Sequence, residues 1–176
     1  MASETAPEFD ARTTARHLLR TAFQAALGTL DPDSGAPHVS LVTLATLPDG
    51  APVLLLSDLA VHTRNVKADA RVSLMVSEPV RPGDPLALAR VTVAGRIART
   101  DDPVARRRFL ARHPEAAAYA AFPHFGVSPI PPQPPPRAYC HLRSSSALPL
   151  SAASAASAPV GRHGTRQATA SSSCVV

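Results

Sequence analysis

The chain has 176 residues, room for one domain with a real core but not comfortably for two. Its net charge is +5, yet residues 126–176 hold Arg137, Arg143, Arg162 and Arg166 and no acid, which leaves the first 125 residues near +1, without the basic stripe of a nucleic-acid binder. Met1–Asp10 is polar and acidic, no apolar run reaches membrane-spanning length, and Cys140 and Cys174 lack metal-ligand spacing; a soluble cytoplasmic protein is expected, with no signal peptide, zinc site or disulfide framework.

From Thr13 to Leu30, Ala15, Leu18, Leu19, Ala22, Phe23, Ala26 and Leu27 recur at three- and four-residue spacings, predicting a helix with Gly28 near its end. Asp31-Pro32-Asp33-Ser34-Gly35 is a turn cluster. Val39–Leu47 and Val53–Ser57, joined by Pro48-Asp49-Gly50, read as an antiparallel hairpin. Leu59–Ala68 fits one or two helical turns, Arg71–Val76 a third strand and Ala89–Ala98 a fourth, in which Gly95 signals a bulge or a close backbone approach. Asp101-Asp102-Pro103 opens a helix over Val104–Ala121 that Pro114 must kink or divide, and Arg106, Arg107 and Arg108 fit its solvated face.

From Gly126 the composition changes. The stretch Ser128–Pro136 favours extended polyproline geometry, and Ser144–Pro159 is mostly serine and alanine, too poor in large apolar groups to offset the entropy of ordering. The organisation expected is a flexible N-terminus (1–12), a domain (13–125) and a disordered tail (126–176). The proline run also suits an SH3-like partner, although spacers of this composition are common.

Chemistry concentrates between Leu54 and Leu74. A helix that starts just after a strand points its free amides above the sheet, where they attract anions, and Thr63, Arg64 and Asn65 add donors suited to a phosphate monoester. The same residues fit a structural account equally: Thr63 as a helix cap, Asn65 in a turn, Arg64 and Lys67 in solvent. Spacing alone does not decide between them.

The order Ser57-Asp58-Leu59-Ala60-Val61-His62-Thr63-Arg64-Asn65, acidic turn, Arg71-Val72-Ser73-Leu74 resembles the flavin phosphate-binding segment of pyridoxamine 5′-phosphate oxidase-like proteins, in the branch that includes haem-utilisation proteins. Val39–Thr43, Pro85–Arg96 and Arg107–Ala116 extend the resemblance over roughly residues 17–125. It implies a mainly β (α+β) fold, a six-stranded antiparallel split β-barrel with flanking helices, forming a homodimer with FMN between subunits. Ser57, His62, Thr63, Arg64 and Asn65 would then face the ribityl phosphate, and Ser40, Leu41, Val42 and Thr43 would flank the ring.

Two departures stand out. Val61 and His62 occupy the places of the Arg-Lys pair that pyridoxamine phosphate oxidases proper use for the phosphate, and a neutral histidine is a weaker donor. Beyond Phe125 the chain lacks the expected glycine- and aromatic-rich strands, with Arg137-Ala138-Tyr139 as a remnant; this puts completion of the barrel and dimer cleft in question and suggests a frame change or a degenerate end.

Three functions compete. The first is an FMN-dependent oxidoreductase whose flavin exchanges hydride at N5, with no catalytic acid or base evident and a substrate that the sequence does not specify. The second is haem handling on the same scaffold, with His113, His124, His141 and His163 as candidate axial ligands. The third is a non-catalytic binding module.

Overall fold

A computed structural model of the chain describes residues 10–131, together with the backbones of Arg137–His141 and Ser173–Cys174. Helix α1 (Ala11–Thr21) begins where Asp10 Oδ1 accepts from the amides of Arg12 and Thr13 at 2.9 and 3.2 Å, satisfying two donors that the helix leaves free. It buries Ala15, Leu18 and Leu19. The helix expected to reach Leu30 ends at Thr21, and Gln24–Leu30 is instead a strand, β1.

Tertiary pairing explains the difference. β1 hydrogen-bonds to neighbours on both sides and turns Ala25, Leu27 and Thr29 inward at a period of two, which the apolar residues of this stretch permit as readily as a helical stripe. Gly28, poor in a helix interior, lies where an added Cβ would approach Ser73 O at 3.4 Å.

In the turn after β1, Asp31 Oδ1 accepts from the amides of Asp33 and Ser34 and from Ser34 Oγ, and Gly35 takes φ 72°. β2 (Pro37–Thr46) pairs with β1 through Pro37–Thr43, and only Leu44–Thr46 pair with β3 (Pro52–Ser57). The second edge of β2 from His38 to Thr43 therefore faces no described strand. Helix α2 (Val61–Ala68) follows β3, then β4 (Arg71–Ser77) and β5 (Arg90–Arg96) form a second antiparallel ladder beside β1.

The span expected as a helix broken by Pro114 is helix α3 (Pro103–Arg112) followed by a 3₁₀ turn over Pro114–Ala118. β6 (Phe125–Pro129) pairs with β3 along its length and also meets the chain beyond β5, where the Thr100 amide donates to Val127 O at 2.8 Å. These contacts bring the two ends of the curled antiparallel sheet together as an α+β split barrel of six strands, with three helices around it. Its interior is filled by Leu27, Leu44, Leu54, Leu74, Val91 and Ile130, while Phe109 of α3 packs with Val53 and Val127 on the outside.

The boundary expected between 125 and 126 falls inside β6, and Gly126, Val127, Ser128 and Ile130 are buried. A Gly-Val-Ser core flanked by prolines carries little strand propensity, so this element depends on its partners. β7 (Arg137–His141) extends the sheet by pairing with Arg90–Ala94, and β8 (Ser173–Cys174) pairs with β7. The Pro132–Pro136 run, Ser144–Pro159 and residues 1–9 lie outside the described residues. Among the described residues, no helix is long and apolar enough to cross a membrane.

Candidate functional site

The end of β3 leads into α2 through a tight turn: Ser57 Oγ accepts from the Leu59 amide at 3.3 Å, and the Ala60 amide donates to Ser57 O. Ala60 occupies the N-cap but has no side chain able to accept from the first-turn amides of α2. Beside this uncapped end runs the unpaired edge of β2. The two are joined by a 3.0 Å hydrogen bond between Ser40 Oγ and His62 Nδ1.

His62 is half-buried. Burial, and then the charge of nearby His38, hold its pKa below the usual histidine value, so the ring is neutral at pH 7. Arg64 projects outward, pairs with Asp31 at 3.2 Å and lines a groove of about 290 Å³ with Asp58, Leu59, Ala60, Val61 and Lys67. Within that groove Lys67 forms an ion pair with Asp58 at 2.9 Å, and this bond lowers the pKa of the carboxyl group.

The expected site residues thus divide by face. Ser40 and His62 meet, and Arg64 stands at the rim. Thr63 and Asn65 turn inward: Asn65 is fully buried and donates from Nδ2 to Thr29 Oγ1 at 3.1 Å, pinning α2 to β1. Thr63, 6% exposed, lines a pocket of about 160 Å³ with Leu56, Asp58, Lys67, Arg99 and Ser128. Thr63 Oγ1 and Asn65 Oδ1 have no hydrogen-bond partner among the described residues; the Thr63 hydroxyl can donate to a ligand oxygen or a water, whereas Asn65 Oδ1 can only accept.

Strand geometry separates the four β2 positions in the same way. Val42 points into the core, whereas Leu41 and Thr43 lie exposed on the outer face. Ser57 is half-buried at the turn. Two further residues stand near this site. His38 lies two residues from Ser40 and so shares its face, a spacing readable in the sequence; Arg99 donates to Asp58 at 3.4 Å across 41 residues of sequence, which no local pattern could signal.

Of the histidines considered as haem ligands, His113 is only 3% exposed; its Nε2 bonds Leu44 O at 2.9 Å and its ring packs against Phe109 and Phe23. It is a packing residue, closed to a metal. His124 is half-buried among Phe122 and Phe125; the side chain of His141 and the whole of His163 lie outside the described residues.

The family model described as pyridoxamine 5′-phosphate oxidase matches residues 12–147, most of the chain and all of the barrel. The chain belongs to this family. A chloroplastic heme oxygenase from Arabidopsis thaliana is 36% identical over 85 residues, which are 47% of this chain and 26% of that protein. The structure of a heme-binding protein from Mycobacterium smegmatis is 34% identical with a TM-score of 0.68, covering 77% of this chain and 55% of that one. This member of the family therefore spans about a quarter and about half of those two relatives. The heme storage protein of Vibrio cholerae, 19% identical with a TM-score of 0.60 over 71% of this chain and 92% of its own, shares the fold.

Proposed function

We propose that this family member binds FMN as a cytoplasmic homodimer and acts as a flavin-dependent oxidoreductase. The observation that carries the proposal is the Ser40–His62 hydrogen bond, which joins an uncapped helix start to an unpaired strand edge. The free amides of α2, His62 and Arg64 supply donors for a terminal phosphate, and the backbone edge of His38–Thr43 supplies groups that can meet the polar rim of a flavin. Ser57 and Asn65 hold the turn and helix in place, and the unpartnered Thr63 hydroxyl offers one further bond on the inner side. FMN, once bound, supplies hydride transfer at its N5. The chain's own groups anchor, orient and shield it.

Support for a second copy comes from the outer sheet face. There Val39 (67% exposed), Leu41 (70%) and Met75 (42%) form rows with Ala26 and Gly28, an exposed apolar surface of the kind that a symmetric partner covers. The visible spectrum of purified protein with and without added FMN tests the reading. A flavin band retained through gel filtration is the expected result, and a protein that stays colourless after FMN addition contradicts it.

The names of two relatives, 36% and 34% identical, favour haem binding as the second reading. Of the two candidate ligands whose side chains are described, His124 is the one to test, because His113 is committed to Leu44. An absorption band from added haem that is lost on His124→Ala would support it, and a band unchanged by that substitution would remove His124 as ligand. Protein that takes up neither group would be a non-catalytic module.

A further inference from the structure

At the other end of β2, away from Ser40 and His62, three arginines line one cleft of about 360 Å³ together with Ala45, Thr46 and Pro48. Ser40 and Thr46 are six residues apart on one strand, which places the two sites on the order of 20 Å from each other. Arg20 comes from the last turn of α1; Arg108 and Arg112 lie one turn apart on the same face of α3.

Each guanidinium is held by backbone carbonyl groups and not by an acid. Arg108 Nε donates to Thr46 O at 2.7 Å, Arg20 donates to Pro48 O at 3.2 Å, and Arg112 donates to Thr21 O and Ala22 O while its guanidinium carbon lies 3.7 Å from the centre of the Phe23 ring. Among the described residues none of the three forms an ion pair, and no carboxylate lines the cleft. Asp49, the acid nearest in sequence, accepts from the Ala51 amide.

The helix C-termini account for Arg20 and Arg112 individually, since cations are favoured there. They do not account for three converging like charges, two of them at i and i+4, a spacing that disfavours like charges in a helix. Each side chain spends part of its donor set on a carbonyl, which fixes its plane, and leaves further N–H groups facing the cleft. Preorganised guanidinium forks with unmatched donors and no counter-charge suit phosphate oxygens, which accept two parallel bonds from one arginine.

We infer that the Arg20–Arg108–Arg112 cleft is a second anion site, for a small molecule carrying a diphosphate or comparably charged phosphate groups. It shares no residue with the proposed flavin site and does not depend on it.

Inorganic pyrophosphate is the probe, titrated calorimetrically into the full chain at constant ionic strength. The expected result is saturable binding at one per chain, weakened at least about tenfold by Arg108→Gln or Arg112→Gln and similarly by Arg20→Gln. Arg20→Gln removes one exposed carbonyl contact, so it tests the site even if an α3 variant fails to fold. FMN uptake by Arg20→Gln is expected to match that of the unaltered protein. No saturable binding up to millimolar pyrophosphate would overturn the inference. So would binding insensitive to all three substitutions, or binding abolished by His62→Gln alone, which would assign the anion to α2.

Discussion

Gly95 and Ile130 are packed so closely that a Cβ on the glycine would lie 2.7 Å from Ile130 Cγ2. This contact fills the place where β5 ceases to pair with β7 and the following chain begins to meet β6. Ile130 is 1% exposed inside the barrel, and its β-branched Cγ2 is not the far end of a flexible side chain. Gly95→Ala is therefore expected to cost about 1–3 kcal/mol through overpacking. Urea denaturation would register it as a lower midpoint with an unchanged slope.

Asn65 is a test of how α2 is fixed. Asn65→Ala removes its bond to Thr29 and also the unpartnered carbonyl oxygen, so the expected loss is modest, about 1–2 kcal/mol. Asn65→Asp should be worse at neutral pH, because an ionised carboxylate would be buried without a counter-charge. Burial raises the pKa of such an acid, so the deficit relative to Asn65→Ala should shrink as the pH falls and the group becomes neutral. Thermal denaturation of both variants at several pH values would show the converging curves.

His113→Phe keeps an aromatic ring between Phe109 and Phe23 but leaves Leu44 O without its partner. A loss of about 1–3 kcal/mol is expected. If haem is taken up, its spectrum should not change in this variant beyond the loss of folded protein, which circular dichroism measures in parallel.

FMN affinity should depend on His62 in a pH-sensitive way. The ring is neutral at pH 7 because its pKa lies below the usual histidine value, and a bound phosphate would favour its protonated form, so binding takes up a proton. The groups around it are the titratable His38, the Arg64–Asp31 pair and Ser40. Flavin phosphate loses charge near its own second ionisation at about pH 6, and this effect is common to both proteins compared. The ratio of unaltered to His62→Gln affinity should thus widen as the pH falls from about 7.5 to 6, flattening once His62 is protonated in the free protein. A constant ratio would place the phosphate away from this ring.

Legibility in the sequence followed the range of the interactions. β4 was readable because Val72, Leu74 and Val76 alternate cleanly with outward residues. β1 was not, since its apolar residues satisfy a helical and a strand period at once and only pairing with β2 and β4 selects between them. β6 was hidden by Pro129 and the proline run after it, which a partner ladder tolerates and a local reading counts as breakers. The resemblance drew attention to Ser40 and His62, but their hydrogen bond spans 22 residues of sequence. Thr63 and Asn65 were expected to face the phosphate together with Arg64; helix phase, set by burial against the barrel, buries both side chains while Arg64 stays exposed.

The most direct test of the flavin reading is quenching of FMN fluorescence by the full chain, with riboflavin as comparator. Saturable quenching at one flavin per chain is predicted, with riboflavin, which lacks the phosphate, bound at least about tenfold more weakly. Absence of quenching, or equal affinity for the two flavins, would contradict an anchor at the α2 start.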